Sequence, residues 1–408
     1  MKKITRIIII FCIYFNTSAQ NAPEQPTQGP GGNNYLHNSY TFTKFGTDIY
    51  DCYWLVEPAE PKPDSAFVIV YWHGTNQQSN IDNVPSGNAL TLEHICRKGY
   101  TVIFPLYQYG GVTLPFEEQL TNGANVVNLA LNTLQNGNGR VRPKKNNQGK
   151  VMLGAVGISR GGGMTLNAAA YHQTLNLPSF DALCAVVPSA GQDLTGIIDS
   201  TKVIIVNGEE NELNFNESQE AFDSLHHIPC PNKRFIQINS DYYGNPDLVS
   251  NHDFAGSGND PNDNTKLNAL DYYGMWKLSV ALFDCTFKNE NCEYCFGRDT
   301  LITYMGHWSD GTPVKVSTIK DDCSPPIPTA LEFSIDTSPI CFPNPTTEYI
   351  FINKNYTNNE TYVFNSTGSI VFQQKNCKKI HFYEKPKGLY LLMLKTDKGT
   401  FYEKIVKK

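Results

Sequence analysis

The stretch 151–166, VMLGAVGISRGGGMTL, restricts the fold of this chain more than any other. An apolar strand runs into Gly157-Ile158-Ser159-Arg160-Gly161, and an Ala-rich segment with helix character follows. A serine on so sharp a strand-to-helix turn occupies strained backbone. Its neighbours must lack bulky Cβ groups where the helix packs back on the strand. Gly157, Gly161, Gly162 and Gly163 meet that need. The turn also directs the first N–H groups of a helix at whatever the serine attacks. Ser159 is the candidate nucleophile, and the N–H of Arg160 is one candidate oxyanion donor.

The flanking sequence alternates strands and helices. Antiparallel strands are expected at 40–45 and 49–56, and a strand at 65–72, SAFVIVYW, has the continuous apolar look of burial on both faces. Further strands are expected at 101–106, 151–156, 182–187, 203–206 and 234–238. Helices are expected at 88–98, 116–134, after Ser159 to about 174, at 217–227 and at 268–287. This alternation argues a mainly parallel sheet with helices on both faces, and such sheets bind ligands at the carboxyl ends of their strands.

A nucleophilic serine needs a base, and the base needs a partner that fixes its tautomer and stabilises its charged form. His252 lies in a long polar loop after the 234–238 strand, where a base belongs in the order serine, acid, histidine. His307, in a Gly-Trp-flanked loop, is the alternative. The acid is expected just after the 203–206 strand, three residues beyond Gly208, and Asn211 stands there. Asparagine can orient an imidazole but carries no charge. A one-residue difference in the loop would bring Glu212 or Glu210 into place, Glu212 being the first choice; Asp193 is a third candidate. The second oxyanion donor is expected at Gly74 or Thr75, with His73 shaping that loop.

Taken together, these residues resemble the α/β-hydrolase family over about 36–320: His73-Gly74 after the third strand, GISRG at 157–161, the Glu cluster after Gly208, then His252. The resemblance implies an α/β fold with a mainly parallel, eight-stranded-type sheet flanked by helices. It also implies Ser159 as nucleophile, His252 as base and an acid between Glu209 and Glu212.

The ends of the chain carry a different signal. Lys2, Lys3 and Arg6 precede a short apolar run and small residues at 17–19, the pattern of an export signal over 1–20 that is too short to span a bilayer. Residues 21–35, rich in Pro, Gly, Gln and Asn, read as a flexible leader. Residues 321–339 read as a linker with SPPIP at 324–328. Residues 340–408 read as a small all-β sandwich of alternating strands and Gly or Asn turns. The run CFPNPT at 341–346, the strands that follow and the closing KIVKK resemble the C-terminal sorting domain of the type IX secretion system of Bacteroidota. That resemblance implies the type IX machinery as partner and passage through periplasm and outer membrane to the cell surface or medium.

Ten of the 11 cysteines lie beyond the signal, and export makes disulfides the expected use of Cys285, Cys292, Cys295 and Cys323 rather than half of a zinc site. The mild acidic balance, 33 Lys+Arg against 39 Asp+Glu, lacks the basic face of a nucleic-acid binder. The Asn/Asp run at 259–264 lacks the spacing of a calcium loop and reads as a solvated turn. No cofactor is required. The expected activity is carboxylic ester hydrolysis on a small or polymeric substrate. Trp72, Tyr107, Tyr109, Tyr242, Tyr243 and Phe254 are candidate pocket aromatics. The competing readings are a prolyl-oligopeptidase-like peptidase and an inactive hydrolase-fold binding protein.

Overall fold

The computed structural model describes residues 20–75, 78, 80–110, 114–189, 193–213, 215–256, 267–297, 300–321, 323, 340–353, 356, 359–365, 369–396 and 399–408. The export signal, the Asn/Asp run at 259–264 and the SPPIP stretch lie outside the described residues. The chain divides into two compact units, at residues 325 and 326.

The first unit is built on a ten-stranded sheet. Eight strands form its body: β1 (Tyr40–Phe45), β2 (Tyr53–Pro58), β3 (Ser65–Trp72), β4 (Tyr100–Pro105), β5 (Leu153–Ile158), β6 (Ala182–Val186), β7 (Lys202–Gly208) and β8 (Lys233–Ile238). Two short strands add to the expected eight. Arg142–Pro143 pairs with β3, and β9 (Thr318–Ile319) pairs antiparallel with β8. The spatial order is β1-β2-β4-β3-β5-β6-β7-β8-β9. The pairs β1·β2 and β2·β4 are antiparallel, and every pair from β4·β3 to β7·β8 is parallel. Strand β2 begins later than expected because Asp51 Oδ1 accepts the N–H groups of Thr47 and Asp48 and holds a turn there.

Five helices cover the sheet: α1 (Ala89–Arg97), α2 (Phe116–Asn136), α3 (Arg160–Ala170), α4 (Phe215–Asp223) and α5 (Trp276–Lys288). Period-two alternation along β3 feeds two cores. Ile69 and Tyr71 pack with Leu92 of α1 and Trp276 of α5 on one face. Val68, Val70 and Trp72 pack with residues of α2, α3 and α4, such as Val127, Met164 and Phe222, on the other. The continuous apolar reading of SAFVIVYW therefore reflects burial on both faces.

Residues 21–35 depart from the flexible leader that their composition suggests. The buried Lys98 ammonium donates to Gly29 O and Asn34 Oδ1. His94 bonds Pro30 O and the Tyr35 hydroxyl, and Arg97 lies 3.9 Å over the Tyr35 ring. A Cβ on Gly31 would stand 1.8 Å from Tyr272 O. The glycine that looked like a flexibility signal instead permits a close backbone approach.

The first part of the expected linker also belongs to the first unit. Asp321 forms a buried ion pair with Arg234 and accepts from Phe235 N, and Cys323 is bonded to Cys230. The second disulfide joins Cys285 and Cys292. Cys295 is a separate buried thiol, so the CEYC spacing does not act as a unit.

The second unit contains two antiparallel sheets. One orders β10 (Cys341–Phe342), β11 (Tyr349–Ile352) and β14 (Lys379–His381) as β10-β11-β14. The other orders β12 (Glu360–Phe364), β13 (Ile370–Lys375), β15 (Gly388–Thr396) and β16 (Gly399–Lys407) as β13-β12-β15-β16. Ile350 and Ile380 of the first sheet share one core with Val363, Leu392 and Ile405 of the second, as a small sandwich requires.

Candidate active site

Strand β5 delivers Ser159 to the carboxyl edge of the sheet in the strained conformation φ 57°, ψ −120°. The surrounding packing enforces this geometry. A Cβ on Gly157 would lie 2.2 Å from Gly161 O, and one on Gly161 would lie 2.0 Å from Trp72 O. Ser159 N–H donates to Val186 O, while Ser159 O accepts from Gly163 and Ser189 N–H groups. Strand-end hydrogen bonds and the first turn of α3 thus pin the residue from both sides.

Histidine and serine meet here. The Ser159 hydroxyl donates to His252 Nε2 at 2.9 Å, and His252 Nδ1–H donates to Asn211 Oδ1 at 2.9 Å. Two loops must approach closely for this contact. A Cβ on Gly208 would lie 2.3 Å from Ser250 O, and Glu210 N–H donates to that same carbonyl. The loop carrying Asn211 is thereby stitched to the loop carrying His252.

The expected acids lie elsewhere. Glu212 is exposed. Glu210 accepts from the Tyr242 hydroxyl, and hydrogen bonds from Ser240 and Tyr242 hold its carboxyl below the usual range. Asp193 accepts from Thr195, and His307 bonds Tyr304. No register shift occurs in the loop: Asn211 itself takes the third position. Its Nδ2 donates to Asn207 Oδ1 at 2.7 Å, which leaves its own Oδ1 to accept from the imidazole. Asn207, also approached by the Ser218 hydroxyl at 3.3 Å, was not singled out in the sequence. The only signal was its place at the end of β7.

Gly74 abuts Ser159, since a Cβ on it would stand 3.6 Å from Ser159 Cβ. Arg160 opens α3, so its N–H has no acceptor within the helix. These two backbones flank the serine as oxyanion donors would. His73 is fully buried, its ring stacks 4.2 Å from Tyr107, its Nδ1 bonds Gly74 O, and the Tyr107 hydroxyl donates to its carbonyl. Burial pulls its pKa down to about 4, so it is neutral and shapes the loop.

The serine opens into a cavity of about 640 Å³, lined among others by Thr75, Asn88, Arg160, Leu213, Glu217 and Asp253. None of the six candidate aromatics is among its lining residues. Trp72, Tyr107 and Phe254 are core, Tyr109 packs beside the core, and the exposed Tyr242 and Tyr243 hydroxyls bond Glu210 and Asp310. Burial lowers the His252 pKa, with the charges of Asp253 and Glu217 opposing that effect. The His252 ring is therefore neutral and able to accept a proton at neutral pH.

Residues 341–408 match the family model described as a secretion system C-terminal sorting domain. The chain thus carries the tail of proteins exported to the cell surface or beyond, as its resemblance to type IX sorting domains implied. No helix among the described residues is long and apolar enough to cross a membrane. Comparison with curated proteins found no match. Solved structures similar to the chain include a phosphonate-inhibited esterase B from Lactobacillus rhamnosis, at 13% identity and TM-score 0.43, covering 62% of this chain and 91% of that one. A structure of an arylesterase is 15% identical with TM-score 0.40, covering 61% and 86%. An esterase/lipase from an uncultured bacterium is 13% identical with TM-score 0.35, covering 50% and 75%. Strand order and the serine turn, rather than these distant likenesses, define an α/β architecture with a mainly parallel sheet flanked by helices.

Proposed function

We propose that the chain is a secreted serine hydrolase that cleaves carboxylic esters through an acyl-enzyme on Ser159. The observation that carries this reading is the hydrogen-bonded line Ser159–His252–Asn211, whose serine and histidine line the cavity. Ser159 Oγ attacks the acyl carbon while His252 Nε2 takes its proton. The N–H groups of Arg160 and of Gly74 or Thr75 receive the developing oxyanion. The imidazolium then protonates the departing alcohol. Water, deprotonated by the same nitrogen, releases the acid and restores Ser159.

Asn211 favours esters over amides. It holds the tautomer that exposes Nε2 as acceptor, but it supplies no charge to the imidazolium. An alkoxide leaves with less help from a proton donor than an amine does, so a less strongly supported imidazolium suffices for esters. The same asparagine is the one observation favouring a second reading, a hydrolase-fold protein that binds its ligand without turnover.

The test is reaction of the full chain with a fluorophosphonate probe, mapped by mass spectrometry, beside p-nitrophenyl ester hydrolysis. Labelling on Ser159 that disappears in Ser159→Ala and His252→Ala is the expected result. Absence of label on folded protein overturns the reading in favour of binding alone.

A further inference from the structure

The line Ser159–His252–Asn211 lacks a carboxylate, yet the cavity does not lack negative charge. Glu217 sits in the first turn of α4 and lines the same cavity as Ser159 and His252. One of its carboxylate oxygens is buried and has no hydrogen-bond partner among the described residues. The next residue, Ser218, approaches the Asn207 that orients Asn211. One helix turn therefore serves both the amide that orients the imidazole and a carboxylate on the cavity wall.

Resting on the hydrolase reading above, we propose that Glu217 is a positioning residue that supplies, through space, the negative charge Asn211 cannot give to the His252 imidazolium. An unpartnered, partly desolvated carboxylate is a cost in the resting site. That cost is offset when His252 takes the Ser159 proton and a cation forms facing it. The interaction is stronger in the transition state than in the ground state, which is the condition for accelerating the chemical step. The proton moves only from Ser159 Oγ to His252 Nε2 and then to the leaving oxygen.

Two other charged groups line the cavity with His252: Asp253 and Arg160. Asp253, next in the chain, is exposed, so solvent screens it. Arg160 directs its guanidinium over the Phe116 ring, 5.3 Å from the centroid. Glu217 is more sheltered than Asp253, and its field is correspondingly less screened. Both acids raise the resting His252 pKa against the depression caused by burial, Asp253 more than Glu217.

The experiment compares the full-length chain with Glu217→Gln, Glu217→Asp, Asp253→Asn, Asn211→Asp and the double variant Glu217→Gln/Asn211→Asp. Readouts are p-nitrophenyl ester kcat and KM across pH, the rate of fluorophosphonate labelling at Ser159, and the His252 titration followed by NMR. Glu217→Gln is expected to lower kcat on the order of tenfold with KM little changed, and to move the His252 pKa down. Glu217→Asp should recover part of the loss, Asp253→Asn should lower the His252 pKa without an equal loss of kcat, and Asn211→Asp should largely erase the effect of Glu217→Gln. A change in KM alone would make Glu217 a substrate contact and overturn the proposal. So would an unmoved His252 titration, or an equal loss in the Asn211→Asp background. If the wild-type chain is not labelled at Ser159, the hydrolase reading fails, and the titration still decides whether Glu217 acts on His252.

Discussion

His252 Nδ1–H donates a hydrogen bond to the amide oxygen of Asn211, 2.9 Å away, at the position where the charge of a carboxylate would ordinarily stand. The amide performs half of that task. Because its nitrogen is committed to Asn207, its oxygen faces the ring, and the imidazole is held in the tautomer that leaves Nε2 free for Ser159.

Asn211→Asp should therefore raise kcat. Losing the acid of a serine protease triad costs about 10⁴, a loss ascribed to the wrong tautomer. Here the tautomer is already correct, and the gain is expected on the order of tenfold to a hundredfold. Asn211→Leu, which removes the acceptor, should lower kcat instead. Steady-state kinetics on a p-nitrophenyl ester check both directions, and a slower Asn211→Asp enzyme would refute the account.

The pH profile follows from the lowered pKa of His252, caused first by burial. Only the neutral ring can accept the serine proton. The acid limb of kcat/KM should therefore fall at a pH below the ordinary histidine value of about 6.5. Asp253→Asn should move that limb lower still, because the aspartate charge raises the pKa. A rate–pH profile in constant ionic strength buffers decides this.

Acid should also unfold the first unit. Burial lowers the pKa of His73 to about 4 and of His94 to about 3. In the unfolded chain both protonate near the ordinary value of about 6.5, so below that pH the unfolded state binds the extra protons. This stability is fully present above about pH 6.5 and is lost as the pH falls toward the folded values, by roughly 3 kcal/mol for His73. Melting temperatures between about pH 7.5 and 4.5 should decline in that window, and a flat profile would contradict the buried neutral rings.

Gly161→Ala should disable the serine turn. The new Cβ would meet the Trp72 carbonyl at 2.0 Å, a backbone atom that cannot swing aside. The expected result is a loss of roughly 3 kcal/mol of stability, with loss of Ser159 labelling in any folded fraction. Chemical denaturation and probe labelling report the two effects separately.

Removing the Cys230–Cys323 bridge should cost about 4.7 kcal/mol in the loop-entropy account, since it closes a segment of separation 93. Paired serine substitutions compared by thermal melting give the value. The Arg234–Asp321 ion pair near it is buried and should remain as the second tie between β8 and the end of the first unit.

Much of this protein was legible in one dimension because the signals were local. The strand β3 was read with its observed bounds from an unbroken apolar run. GISRG marked the strained serine because only glycine tolerates the backbone contacts around it. The order of Ser159, the Gly208 loop and His252 followed from where strands end. The alternating strands of residues 340–408 marked a small sandwich by their period. Other features depended on approaches between distant segments, about which spacing is silent. Whether the residue facing His252 is Glu210, Asn211 or Glu212 depends on how the Gly208 carbonyl end packs against Ser250, and a shift of one residue turns a side chain elsewhere. The residues 21–35, loose by composition, are held by Lys98 and His94. Six aromatics are pocket candidates by sequence, and the sheet places three of them, Trp72, Tyr107 and Phe254, in the core. Glu217 comes to line the cavity with His252 only because α4 starts at the cavity wall. Sequence alone determined the scaffold and the strained serine turn, since these arise from local sterics and periodic burial. Tertiary structure decided which polar side chains meet, because hydrogen-bond partners and electrostatic neighbours are set by long-range packing at sub-residue precision.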